Sequence, residues 1–86
     1  SIDNIKFDRL VACVENLNKA IADDESLGEG FCIGHSYFCN LNPDAVDDNA
    51  LFGIIEYELV PLLKEYWFDE ATKVRDWTAN LRGAIK

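Results

Sequence analysis

The sequence predicts a mainly α domain: a small bundle of three main helices with a short extended segment between the first and second. Three observations carry this. Of the 86 residues, 49% are apolar and ten are aromatic, which suits a packed core and argues against disorder. Apolar residues recur at spacings of three and four in three separate stretches. Between the first two stretches lies Leu27–Cys39, too glycine-rich for a long helix and too apolar for an exposed linker. It holds the only histidine, three of the five glycines and two of the three cysteines. At this length the chain, 1–86, reads as one small domain, without repeats or an internal boundary.

Ser1 to Phe7 reads as an incoming segment. Asp8 is the expected N-cap of the first helix, with Phe7 placed to staple onto its first turn. Phe7, Leu10, Val14, Leu17 and Ile21 form one apolar face to about Ala22, while Asn16, Asn18, Lys19 and Asp23 face elsewhere. The acidic run Asp23-Asp24-Glu25 opposes the helix dipole, helps end the helix and reads as a solvated turn; Gly28 completes the break. The alternation of Phe31 and Ile33 predicts a short extended piece. Gly34 would then allow a backbone angle or close approach that other residues resist. Ser36 is placed to cap a helical turn containing Tyr37 and Phe38.

Asn40 to Asp48, with Pro43, reads as a loop. Asp47 or Asp48 caps the second long helix. Its expected face is Leu51, Ile55, Leu59, Leu62 and Tyr66, widened by Ile54 and Leu63, and Pro61 is expected to kink it near Tyr57. Asp69 is the expected cap of the third helix, with Glu70 in its first turn and Val74, Trp77, Leu81 and Ile85 as its stripe. Gly83 stands where the end frays.

Composition excludes several functions. Sixteen acidic and eight scattered basic residues give a net charge of −8, which argues against direct binding to DNA or RNA. No run of ~18 apolar residues and no signal-peptide pattern occurs, so no membrane role is expected and the cytoplasm is the expected location. Three cysteines form no disulfide framework. Cys32, His35 and Cys39 with Cys13 suggest a zinc site, but the spacing is not that of a paired knuckle; small buried thiols are the better reading and no metal site is expected. No Walker A loop, Rossmann fingerprint or nucleophile elbow is present. Glu56 and Glu58, two apart on a helix, point different ways. Glu65, Asp69 and Glu70 near a helix junction read as capping and surface charge. Adjacent His35 and Ser36 are poor geometry for nucleophilic catalysis, so no catalytic residue is expected.

One set of strings goes further. Leu27-Gly28, Ile33-Gly34-His35-Ser36-Tyr37-Phe38-Cys39, Pro61-Leu62-Leu63, Glu65-Tyr66, Phe68-Asp69 and Trp77 resemble the C-terminal end of the McrB-like family. These are the AAA+ GTPase subunits of 5-methylcytosine-specific, modification-dependent restriction systems. The resemblance spans nearly the whole chain and implies a part rather than a whole. In such proteins a large α/β nucleotide-binding subdomain, with Walker motifs, sensor asparagine and arginine finger, precedes a helical lid; the domain that reads methylated DNA lies further toward the N-terminus. The chain is thus expected to be the lid, ending at or near the natural C-terminus. The resemblance implies that Gly34, His35, Ser36 and Tyr37 lie near the nucleotide, and that Phe31, Tyr37 and Phe38 pack against the large subdomain. GTP and Mg would belong to the parent. Partners would be the large subdomain, neighbouring subunits of a ring and a McrC-like endonuclease. Neither Arg75 nor Arg82 matches a lid arginine motif. Two other readings stand beside this one: a stand-alone acidic helical interaction module, and a small zinc-binding module.

Overall fold

A computed structural model of the chain describes residues 4–34, 36–39 and 46–86. Helix α1 (Ile5–Asp23) starts earlier than expected, because Asn4 and not Asp8 caps it: Asn4 Oδ1 accepts from the Phe7 N–H at 2.9 Å. Asp8 stands in the first turn, where a negative charge favours the dipole. The Asn4 amide also donates to Val46 O at 3.1 Å, and Lys6 pairs with Asp48 at 2.9 Å. These contacts tie the start of α1 to the start of the second helical run. After α1 the chain turns back through Gly28, whose φ of +90° is a conformation that side-chain-bearing residues resist.

A 3₁₀ turn (Glu29–Phe31) follows, then irregular chain to Gly34; no strand occurs among the described residues. Phe31 thus lies in the turn and remains 44% exposed, whereas Ile33 enters the core. The extended character is confined to the residues after the turn, with Cys32 at φ −60° and ψ 143°. Helix α2 (Ser36–Cys39) includes Ser36 as its first residue, so Ser36 is not its cap. The expected loop lies largely outside the described residues.

Helix α3 (Asp48–Gly53) is capped by Asp47, whose Oδ1 accepts from the Ala50 N–H at 2.8 Å. It runs directly into a π turn (Ile54–Leu59) and then α4 (Val60–Tyr66). In this widened turn the Val60 N–H donates to Ile55 O, five residues back. The disturbance expected around Tyr57 takes this form, and Pro61, which has no N–H to donate, stands just after it in α4.

The π turn changes which residues face inward. Leu51, Ile55, Leu59, Leu63 and Trp67, at intervals of four, are all buried to within 1%. In a regular α-helix, at about 100° per residue, Trp67 would stand about 160° around from Leu51. The wide turn takes up that drift. Leu62 and Tyr66, expected on the buried face, are only half-buried.

Helix α5 (Ala71–Ala84) starts after a turn in which the Glu70 N–H donates to Trp67 O at 3.0 Å. Glu70 rather than Asp69 occupies the cap position, and its side chain makes no capping bond. Of the expected stripe, Leu81 is fully buried, whereas Val74, Trp77 and Ile85 are half-buried. α5 packs against α1 and α4 and encloses one core with Leu10, Val14, Leu17 and Ile21. No helix among the described residues is long and apolar enough to cross a membrane.

Candidate functional site

Asn18 pins the middle of the glycine-rich segment to α1. Asn18, on α1, accepts from the Ile33 N–H at 2.6 Å through Oδ1 and donates to Ile33 O at 2.9 Å through Nδ2. This pair imitates a rung of β-sheet and satisfies both backbone groups of Ile33 where the side chain is buried. The Cys32 thiol donates to Asn18 O at 3.4 Å. Sequence reasoning had Asn18 facing away from the core. Its position four residues after Val14, at the edge of the apolar stripe, was the signal that marks it.

From this clamp the segment emerges at the edge of the bundle. Gly34 and Ser36 are exposed, Tyr37 and Phe38 are half-buried against the core, and His35 lies outside the described residues. Beyond Gly34's chain neighbours, the nearest atom to an added Cβ would be Ser36 N, 4.0 Å away, and its φ is not left-handed. Among the described residues nothing requires the freedom expected of Gly34; Gly28 is the glycine that needs it. Phe38 meets Phe7 edge-on at 5.8 Å, and Phe31 meets Tyr66 edge-on at 5.4 Å. Burial, then Tyr37, Cys32 and Glu65, raise the Tyr66 phenol, which keeps it neutral beside the segment.

A second anchor closes the other end of the segment. Asp24, expected in a solvated turn, has a side chain only 9% exposed. It accepts from Ser26 Oγ at 2.6 Å, Ser26 N at 2.8 Å, Trp67 Nε1 at 2.7 Å and Lys73 Nζ at 3.4 Å. The Ser26 hydroxyl first, then the Trp67 indole and the Ser26 amide, hold its carboxyl well below the usual carboxylate range. Lys73 also lies over the Trp67 ring at 5.2 Å. One carboxylate thus joins the end of α1, the end of α4 and the start of α5.

Among the described residues no group of three or more His, Cys, Asp or Glu stands together to hold a metal. Cys13 and Cys32 are free, half-buried thiols, and burial raises that of Cys13. The other two members of the zinc set, His35 and the Cys39 side chain, lie outside what is described. Glu56 is not paired with Glu58 but with Arg82, bidentately at 2.8 and 2.7 Å, which lowers the Glu56 carboxyl. Among its described residues the Gly34–Tyr37 edge offers backbone groups, the Ser36 hydroxyl and the Tyr37 ring.

An all-helical bundle with a clamped, apolar connector at its edge is the architecture of a small lid domain. Residues 9–75 match the family described as McrB, alpha-helical lid domain, and the chain belongs to that family. It is 41% identical over 73 residues to the Type IV methyl-directed restriction enzyme EcoKMcrB subunit of Escherichia coli (strain K12). That alignment covers 81% of this chain but 16% of the relative, so the chain corresponds to a minor part of that protein. No solved structure matches it.

Proposed function

We propose that this chain is the C-terminal lid of a McrB-like, GTP-hydrolysing AAA+ motor in a cytoplasmic, modification-dependent restriction system. In this reading the bundle closes over nucleotide as a rigid body and passes the motion to the neighbouring subunit of a ring. A McrC-like endonuclease then cuts the modified DNA. Membership of the lid family over residues 9–75 is the observation that carries the reading.

The chain's own residues supply an edge and a frame. Asn18 and Asp24 fix both ends of the segment to the bundle, so that movement of the helices moves the segment with them. Gly34, His35, Ser36 and Tyr37 are the residues assigned to the nucleotide side. Among the described residues the space around Gly34 is open, which leaves room for the close approach this reading needs. Phe31 and Phe38 are assigned to packing against the large subdomain, Phe31 with its exposed face and Phe38 through its place beside Phe7. GTP and Mg supply the phosphoryl chemistry when bound to the parent, whose large subdomain would hold them. The lid contributes polar contacts and excludes water. Alone, it is expected to turn over no GTP and to bind duplex DNA poorly.

The test is GTP hydrolysis by the full-length parent, comparing wild type with His35→Ala and Ser36→Ala, with circular dichroism as the folding control. Loss of one polar contact to nucleotide predicts a fall of about tenfold or more at unchanged helicity. Wild-type turnover in both variants would make the segment a structural connector. Turnover by the 86-residue chain alone would overturn the reading altogether.

A further inference from the structure

A groove of about 680 Å³ lies at the α4–α5 elbow, away from the glycine-rich segment. Its floor is apolar, from Val60, Trp67 and Val74, and Phe68 lines it while 83% exposed. Thr78 also lines it, and its buried hydroxyl has no hydrogen-bond partner among the described residues. The charge pattern is what singles the groove out. Lys64, Arg75 and Arg82 lie along it and no carboxylate does, in a chain with sixteen acidic and eight basic residues. Arg82 is engaged by Glu56, and Arg75 makes only an exposed contact to its neighbour Asp76 at 3.3 Å. Lys64 makes no ion pair among the described residues. The neighbouring concavities differ: one is flanked by Asp69, Glu70 and Asp76, the other by Glu65, Asp69 and Glu70.

From this we infer that the α4–α5 groove is a docking site for an acidic amphipathic helix of a partner segment. Its apolar face would cover Val60, Val74 and Phe68, and its carboxylates would meet Lys64 and Arg75. The occupant follows from the lining. Two helices with a trough between them accept a third helix by interdigitation. No strand edge is offered among the described residues, so strand addition is not available. An exposed phenylalanine beside an apolar floor supplies the anchor, and Lys64, in no ion pair among the described residues, with Arg75, held only by its exposed neighbour, selects an acidic partner from a basic one. The inference does not depend on the nucleotide reading, because it uses none of the residues assigned there.

The experiment is a titration of the ¹⁵N-labelled chain, followed by amide cross-peaks, with two capped helical peptides of about sixteen residues. Both carry Leu and Phe at i, i+3, i+4 and i+7; one has Glu at its flanking positions and the other Lys. The Glu peptide is expected to shift Phe68, Val74 and Thr78, to bind about tenfold more tightly than the Lys peptide, and to weaken as salt is added. The double variant Lys64→Glu/Arg75→Glu changes two exposed side chains and is expected to reverse the preference at unchanged helicity. Equal binding of both peptides, shifts centred on Gly34–Tyr37, or no shifts at millimolar peptide would each overturn the inference. So would GTP alone shifting the groove residues and displacing the Glu peptide, which would make the groove a site for a small anion.

Discussion

Asp24 accepts four hydrogen bonds that only an ionised carboxylate accepts well, from Ser26 twice, Trp67 and Lys73. Because folding lowers its pKa, its contribution is fully present above the unfolded carboxylate range, near pH 4. Below that pH the unfolded chain takes up a proton that the folded chain resists, so stability falls with pH until the folded carboxyl is also protonated. Asp24→Asn should therefore flatten the decline in melting temperature between about pH 4 and pH 2. It should also lower stability at neutral pH, read by the same thermal scans. An equally steep acid limb in the variant would place that proton uptake on other carboxylates. Asn18 works by geometry instead, offering one donor and one acceptor to a single residue.

At the scale of elements, the π turn decides how the second helical run meets the core. Deleting Tyr57, which is 75% exposed in that turn, should allow a regular α-helix to form. Leu51, Ile55, Leu59, Leu63 and Trp67 would then fall at intervals of four, three, four and four, which one α-helical face accommodates. The deletion is expected to keep a cooperative urea transition. Inserting one alanine after Tyr57 adds about 100° of rotation, swings Leu63 and Trp67 off the core and should abolish that transition. Loss of folding in the deletion would show that the wide turn is needed for more than phase.

The same elements show what the sequence made legible. The α1 stripe was readable because a regular helix carried it: Leu10, Val14, Leu17 and Ile21 are all buried. On α3–α4 the expected Leu51, Ile54, Ile55, Leu59 and Leu63 are buried, whereas Leu62 and Tyr66 are not, because a 3.6-residue period does not hold across a run that widens. The glycine-rich stretch is legible as a break between helices, which the 3₁₀ turn and irregular chain after α1 bear out. Local spacing places Asn18 at the edge of the α1 stripe but names no partner for it or for Asp24, because they bind residues 15 and 43 positions away. The cap differences are small: four residues at α1 and one at α5.

At the scale of the whole molecule, the three helical runs share one core and none has a second. Leu81, fully buried on α5, packs in the same cluster as Leu17 of α1 and Leu59 of the π turn. Leu81→Ala should cost about 2–5 kcal/mol. Set against a total of roughly 5–15 kcal/mol for domains generally, that is a large share for so small a chain. The loss should appear as one transition, coincident in helical and aromatic circular dichroism, rather than as detachment of α5. Two separated transitions would mean that the last helix melts on its own. Charge is unevenly distributed over this single body: the chain is acidic in sum, yet three of its eight cations line one groove.

The Trp67–Asp24 contact also gives the molecule a built-in optical reporter. Trp67 is 1% exposed with its indole N–H bonded at 2.7 Å, while Trp77 is half-buried on α5. Their emission should therefore differ in wavelength and in susceptibility to a dissolved quencher. A Trp77→Phe chain would leave one tryptophan, at the junction of α1, α4 and α5. In this chain its lifetime would read whether that junction stays closed, without any attached label.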